Sequence, residues 1–264
     1  MSVVKIDSLD LEALAPYVRL TERQLQQRLH PAEGLFICES FKVIRVALAH
    51  GMEPVSFLCE EKFLDTVPDC GVPVYTAERA LLKQLTGYEL SRGVLCAMRR
   101  PQLPSVSEVL SGGRRVAVLD GVVNSENTGA IFRAAASLGM DAVLLTRTCC
   151  DPLNRRACRV SMGTVFQLPW TFLDSYNQLK DNGYGIVALA LTDRSVPIDD
   201  PSLKAVERMA VVLGTEGDGL SDSVLRLADY VARIPMQRGV DSLNVAAAAA
   251  VAFWELGKPP AVLG

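Results

Sequence analysis

Asn124–Gly139 reads NSENTGAIFRAAASLG and follows, three residues on, the apolar run VAVLD, Val116–Asp120. A buried strand that turns straight into a helix is where parallel α/β sheets bind their ligands, beyond the carboxyl ends of the strands. This turn is neither of the two common phosphate loops. A dinucleotide fingerprint needs G-x-G-x-x-G, and a P-loop needs G-K followed by Ser or Thr. Here Asn124, Asn127 and Gly129 stand instead, with Arg133 soon after. Asn127 or Thr128 is the expected N-cap and Gly139 the expected C-cap. Ile131, Ala134, Ala135 and Leu138 make one apolar stripe, and Arg133 lies off it, one turn in. A guanidinium near a helix N-terminus opposes the macrodipole, so an anionic partner is expected there.

Outward from this turn, apolar strands alternate with helical stretches. After VAVLD the expected strands are AVLLT (142–146), GIVALAL (185–191), MAVVLG (209–214) and YVARIP (230–235). Helices are expected at about 128–138, 153–161, 172–181, 221–228 and 242–256. Continuous apolar strands between helices imply a mostly parallel sheet covered on both faces. Towards the N-terminus, LFICE (35–39), PVSFLCE, VPVY and GVLCAMRR (93–100) alternate with helical stretches over 8–30, at 40–50 and at ERALLKQL, a small α/β sandwich. RRPQLPSVSEVLSGGRR, 99–115, is rich in Pro, Gly and Ser and breaks the rhythm. Three parts follow: an N-terminal α/β domain over 1–100, a linker over 101–115 and a second domain over 116–264.

Composition removes several classes. Hydrophobic residues make up 49% of the 264, enough for a sizeable core. The N-terminus carries no apolar stretch flanked by basic residues, so no signal peptide is expected. VAAAAAVAFW, 245–254, falls short of the roughly 20 residues a bilayer demands, and a buried helix is expected. There are 7 cysteines, none in a C-x-x-C pair, and only two histidines, His30 and His50. A metal site is not expected, and unpaired thiols fit a reducing cytoplasm. Formal net charge is −3, yet residues 89–160 hold ten arginines, no lysine and six acids. Arginine's planar fork suits phosphate, so this segment is a candidate RNA surface.

Two further loops leave strand ends with unusual sequences. GTEGDGL (214–220) has three glycines around Glu216, which lets a ligand approach the backbone closely. IPMQRGVDSLN (234–244) runs into an alanine-rich helix that neighbours can pack against tightly.

In order and spacing, these three loops resemble the SpoU, or TrmH-like, family of RNA ribose 2′-O-methyltransferases within the SPOUT superfamily. The first motif is met by Asn127, Gly129 and Arg133, the second by Leu213 to Leu220, the third by Ile234 to Met236 and Ser242 to Val245. The stretch from Asn154 to Pro169 is similar to the family's basic helix leading to S-x-G. The chain departs from the pattern at Asn124-Ser125, where Asp-Pro is common, at Thr215, where Asn is common, and at Ala246, where Ser is common. The N-terminal region resembles the small ribosomal-protein-like RNA-binding domain of larger members.

The resemblance implies a parallel α/β fold with a C-terminal trefoil knot, a homodimer and S-adenosylmethionine as cofactor. It implies Leu213, Gly214, Gly219, Ile234, Met236, Ser242 and Leu243 as cofactor contacts. Arg133, Asn127, Glu216, Asn244 and Ser242 become the catalytic set, and Arg133, Arg155, Arg156 and Arg159 the RNA contacts. Ribosomal RNA is the favoured substrate, with transfer RNA the alternative. A non-catalytic RNA-binding protein of the same fold is the alternative of another class.

Overall fold

The computed structural model describes residues 2–8, 10–18, 34–86, 93–215, 217 and 219–257. Its elements run in chain order as β1 (Ser2–Lys5), α1 (Ala15–Val18), β2 (Leu35–Glu39), α2 (Phe41–Ala49), β3 (Pro54–Glu60), β4 (Pro73–Ala77), α3 (Arg79–Thr86) and β5 (Val94–Arg99). Then come α4 (Val106–Ser111), β6 (Arg115–Leu119), α5 (Ser125–Ser137), β7 (Ala142–Thr146), α6 (Arg155–Val160), β8 (Trp170–Leu173), α7 (Asn177–Asp181) and β9 (Gly185–Leu189). The last are β10 (Val196–Pro197), α8 (Pro201–Lys204), β11 (Met209–Leu213), α9 (Asp222–Leu227), β12 (Tyr230–Arg233) and α10 (Val245–Leu256). The chain divides into two compact units, one of residues 1–102 with 153–166 and one of 103–152 with 167–264.

The first unit is built on a five-stranded sheet in the order β1-β4-β3-β5-β2, with β5 antiparallel to both neighbours. Strand alternation sends successive side chains to opposite faces. Leu35, Ile37, Leu58, Leu95 and Ala97 form one core with Leu14, Tyr17 and Leu82. The Tyr17 hydroxyl lies inside that core, donates to the Ser56 carbonyl at 2.7 Å and accepts from the Ala97 N–H at 3.1 Å. Phe36, Cys38, Phe57, Cys96 and Met98 alternate with these residues and are also fully buried. The segment 153–166 covers β2 on this second face, with the Phe36 and Phe166 rings 5.8 Å apart.

The second unit has a seven-stranded sheet in the order β10-β12-β9-β11-β6-β7-β8, and every pairing is parallel. Strands β6, β7 and β11 are buried almost throughout, as their continuous apolar runs require. The reversal of strand order falls between β6 and β11, where β6 continues outward to β7 and β11 outward to β9.

Four expectations need correction. The supposed linker contains α4, whose Val106, Val109 and Leu110 are buried in the second core. Its start was legible as S-x-x-E, because Ser105 and Glu108 form a reciprocal capping box. The helix expected at 172–181 is really β8 followed by α7, since Trp170, Thr171 and Phe172 favour strand. The basic helix at 153–161 forms, as α6, but belongs to the first unit. The N-cap of α5 is Asn124, not Asn127 or Thr128; its Oδ1 accepts from the Glu126 and Asn127 N–H groups. Arg133 therefore sits in the third turn, beyond the reach of the N-terminal dipole invoked for it. Strands β1 and β10 form where no strand is expected, and the expected helix TERQLQQRL lies outside the described residues.

Ser40, between β2 and α2, has φ 81°, in the region that favours glycine. It is buried, and its Oγ has no hydrogen-bond partner among the described residues. Ser40→Gly relieves both defects, against a smaller loss of backbone freedom. The substitution is expected to stabilise the protein by about 1–2 kcal/mol in urea unfolding.

Candidate active site

Four loops meet beyond the carboxyl ends of the central strands of the second unit. After β11 the chain doubles back within a few residues. A side chain on Gly214 would put its Cβ 2.6 Å from the Gly219 carbonyl carbon and 2.8 Å from the Leu220 nitrogen. Only glycine permits that approach. Thr215 closes the turn by donating its hydroxyl to the Gly219 carbonyl at 3.3 Å. Gly217 and Gly219 hold φ of 106° and 67°. Ser221 then caps α9. After β6, Gly121 turns with φ 67°, and a Cβ there would lie 2.6 Å from Thr215 Cγ2. The first and second loops thus pack backbone to side chain.

After β12, the chain runs through Ile234, Pro235 and Met236 to Asn244, which caps α10 by accepting from the Ala246 N–H at 3.0 Å and the Ala247 N–H at 3.4 Å. Its amide nitrogen donates to Asn127 Oδ1 at 3.1 Å. Asn127 is nearly buried in the first turn of α5. At their other ends the two helices touch again, for a Cβ on Gly257 would lie 2.1 Å from the Leu138 carbonyl oxygen. Helices α5 and α10 therefore run side by side in the same direction, with both N-termini at one rim. Two positive helix ends at one place favour a negatively charged ligand group.

These loops enclose a cavity of about 960 Å³, near the top of the 300–1,000 Å³ usual for small-molecule sites. All seven expected cofactor residues, Leu213, Gly214, Gly219, Ile234, Met236, Ser242 and Leu243, line it, and so does Asn244. Arg133 is exposed on α5 and does not line it. Glu216 lies outside the described residues. Arg155 and Arg159 reach the buried Glu39 carboxylate in the first unit, at 3.7 Å and 3.1 Å. Arg156 stands between them on the exposed side of α6. The sequence reading missed the wall formed by Leu189–Thr192 after β9, together with Arg233 and Asp241. No motif marked GIVALALTD; only its place at a strand end could have.

Burial pushes the Cys149 thiol, in the turn after β7, up. The described residues contain no cluster of His, Cys, Asp or Glu that could hold a metal ion. No helix among them is long and apolar enough to cross a membrane.

A parallel α/β unit with a glycine-lined cavity beyond the carboxyl ends of β9, β11 and β12 has the place and lining of a small-molecule site. The match is narrower than that. Residues 114–254 fit the model of the SpoU rRNA Methylase family. A Mycobacterium tuberculosis protein described as an uncharacterized tRNA/rRNA methyltransferase is 40% identical over 237 residues, covering 86% of this chain and 82% of its own length. The chain belongs to the SpoU family of RNA methyltransferases. Among solved structures, an AdoMet-bound rRNA methyltransferase from Sinorhizobium meliloti superimposes with a TM-score of 0.81 at 23% identity, over 96% of this chain and 97% of its own. An RNA 2′-O ribose methyltransferase superimposes with a TM-score of 0.75 at 24% identity, over 96% and 98%. At these identities the likeness is one of fold.

Gly214 packs against backbone, which cannot move aside as a side chain can. Gly214→Ala is expected to force the Gly214–Gly219 turn apart and to lower stability by about 1–3 kcal/mol in urea unfolding.

Proposed function

We propose that this protein transfers a methyl group from S-adenosylmethionine to a ribose 2′-hydroxyl of RNA, ribosomal RNA in preference to transfer RNA. The observation that carries the reading is the Asn244–Asn127 hydrogen bond. It joins the helix of the third motif to the helix of the first at the rim of a cavity lined by the second and third motifs. Cavity size and the bare glycine backbone fit a bent nucleoside cofactor.

When bound, S-adenosylmethionine supplies a methyl already activated by the sulfonium charge. The chain's task is to align the ribose oxygen for in-line attack, an arrangement worth roughly 7–11 kcal/mol in well-oriented systems. Leu213, Gly214, Gly219, Ile234, Met236, Ser242 and Leu243 hold the cofactor, largely through backbone groups. Asn127 and Asn244 orient the ribose, and Glu216 braces the set. Arg133, exposed and with no ion pair among the described residues, grips the phosphate beside the target ribose. It also stabilises negative charge developing on the attacking oxygen. A guanidinium is a permanent cation in proteins, so it acts through its charge and not as a base. The bound cofactor would give up its methyl to the ribose oxygen, and the hydroxyl proton would go to solvent. Arg156, on the exposed side of α6, extends the phosphate track, and the first unit selects the RNA.

The same reading includes a trefoil knot, with β12 and α10 drawn through the loops before them, and a homodimer. The dimer is supported by the outer side of α10, where Trp254 is 71% exposed and Val251 38%. Trp254→Glu is expected to convert a dimer to a monomer in sedimentation velocity; a wild-type monomer refutes the pairing.

The central test incubates the protein with methyl-labelled S-adenosylmethionine and separated ribosomal and transfer RNA from cells lacking the gene. Label is expected in a 2′-O-methyl nucleoside of ribosomal RNA; label on a base overturns the reaction. Arg133→Ala is expected to bind cofactor normally and to lose about 10²–10³ in kcat.

A further inference from the structure

In the first unit, α2 and the segment 153–166 make up one layer over β2. The two pieces touch, for a Cβ on Gly163 would lie 2.9 Å from Val46 Cβ. Their charge is of one sign. Residues 41–49 contain Lys42 and Arg45, residues 153–166 contain Arg155, Arg156 and Arg159, and neither piece contains an acid. The rest of the unit holds more acids than cations. Glu39, at the end of β2, is one carboxylate against the two guanidiniums of Arg155 and Arg159, so it does not neutralise both. Lys42, Arg45 and Arg156 are exposed. Neither Lys42 nor Arg45 has an ion pair among the described residues.

A helix face that serves only solubility mixes both signs of charge. A layer of one sign, on a unit that is otherwise acidic, is the footprint of a polyanion. We infer that the outer surface of α2 and α6 is the RNA-docking face of the first unit, with Lys42 and Arg156 on backbone phosphates and Arg45 stacked on an unpaired base. The inference rests on the reading above that this unit selects the RNA.

Helix spacing divides the roles. Phe41 and Arg45 stand four residues apart and are neighbours on the surface of α2. The Arg45 guanidinium lies over the half-buried Phe41 ring, 5.3 Å from its centroid. A guanidinium backed by a ring presents a flat cation to solution, and arginine planes are among the surfaces on which unpaired RNA bases stack. Lys42 carries a compact point charge, which suits a phosphate. An acidic peptide would meet the charges and leave the plane of Arg45 unused.

The test measures binding of the full chain to ribosomal RNA from cells lacking the gene, by filter retention over a range of salt. Lys42→Gln is expected to lower the slope of log affinity against log salt by about 1. Arg45→Lys keeps the charge and removes the plane; it is expected to keep the slope and to bind about fivefold more weakly. Arg79→Gln with Lys83→Gln removes two exposed cations from α3, which packs through Leu82 on the other face of the sheet; RNA affinity is expected to stay at the wild-type value. All variants are expected to match wild type in thermal stability and in S-adenosylmethionine binding, which separates lost docking from lost folding. Wild-type RNA binding in Lys42→Gln combined with Arg45→Gln overturns the inference and leaves the methyltransferase reading intact. An equal loss in the α3 variant overturns the choice of face, and wild-type affinity in Arg45→Lys overturns the stacking role. Polyglutamate that displaces the RNA from wild type at equal charge gives the layer to an acidic protein and overturns the inference. A wild-type chain that binds cofactor but no RNA overturns the RNA-selecting reading, and the inference with it.

Discussion

Asn244 satisfies three hydrogen-bonding groups with one short side chain. Its oxygen accepts from two N–H groups at the start of α10, and its nitrogen donates to the nearly buried Asn127 of α5. An alanine-rich helix has little side-chain chemistry of its own to fix its position. The amide supplies it at one end. At the other, the Arg115 guanidinium donates to the Leu256 carbonyl at 2.9 Å and Gly257 lies against Leu138. With both ends fixed, α10 cannot slide along α5, and the cavity wall from Ser242 to Ala248 is set by the same contacts. Any residue at 244 that caps without donating, such as Asp, leaves Asn127 Oδ1 without that donor.

Much of this was legible in the sequence, for identifiable reasons. Strands LFICE and AVLLT match their observed bounds residue for residue, because a continuous apolar run between polar turns has few other solutions. The cavity wall was legible where glycine or an asparagine cap marked it, as at Gly214 and Asn244. It was illegible at Thr192, whose place on that wall comes from a turn closed by Arg233, a residue of another strand. No local pattern encodes that. Helix α4 was passed over because proline, glycine and serine on either side drowned out the four-residue Ser105–Glu108 signal. Asn124 was passed over because Asn127 and Thr128 are equally good caps in isolation, and only the buried position of Asn127 decides between them.

The arginine-rich segment shows how tertiary pairing revises a reading from charge alone. Arg155 and Arg159 stand together in sequence as a basic run, but Glu39 draws both toward a buried carboxylate more than a hundred positions earlier. Breaking such a pair leaves an uncompensated charge in a low-dielectric setting, even though forming it adds little net stability. These two side chains serve the first unit's architecture. Arg133 has no comparable acid among the described residues and stands exposed on α5.

The path of the chain has a consequence for synthesis. Proteins emerge from the ribosome N-terminus first, and domains commonly fold as they appear. Here the first unit is missing a layer until Phe166 has been made, because residues 153–166 cover β2 and set Phe166 against Phe36. By then β6, α5 and β7 of the second unit have already emerged. Neither unit can finish before the other has begun, so a fragment ending near residue 100 exposes the apolar face that Phe36 belongs to. Folding of the two halves is interleaved in time because their chain is interleaved in space.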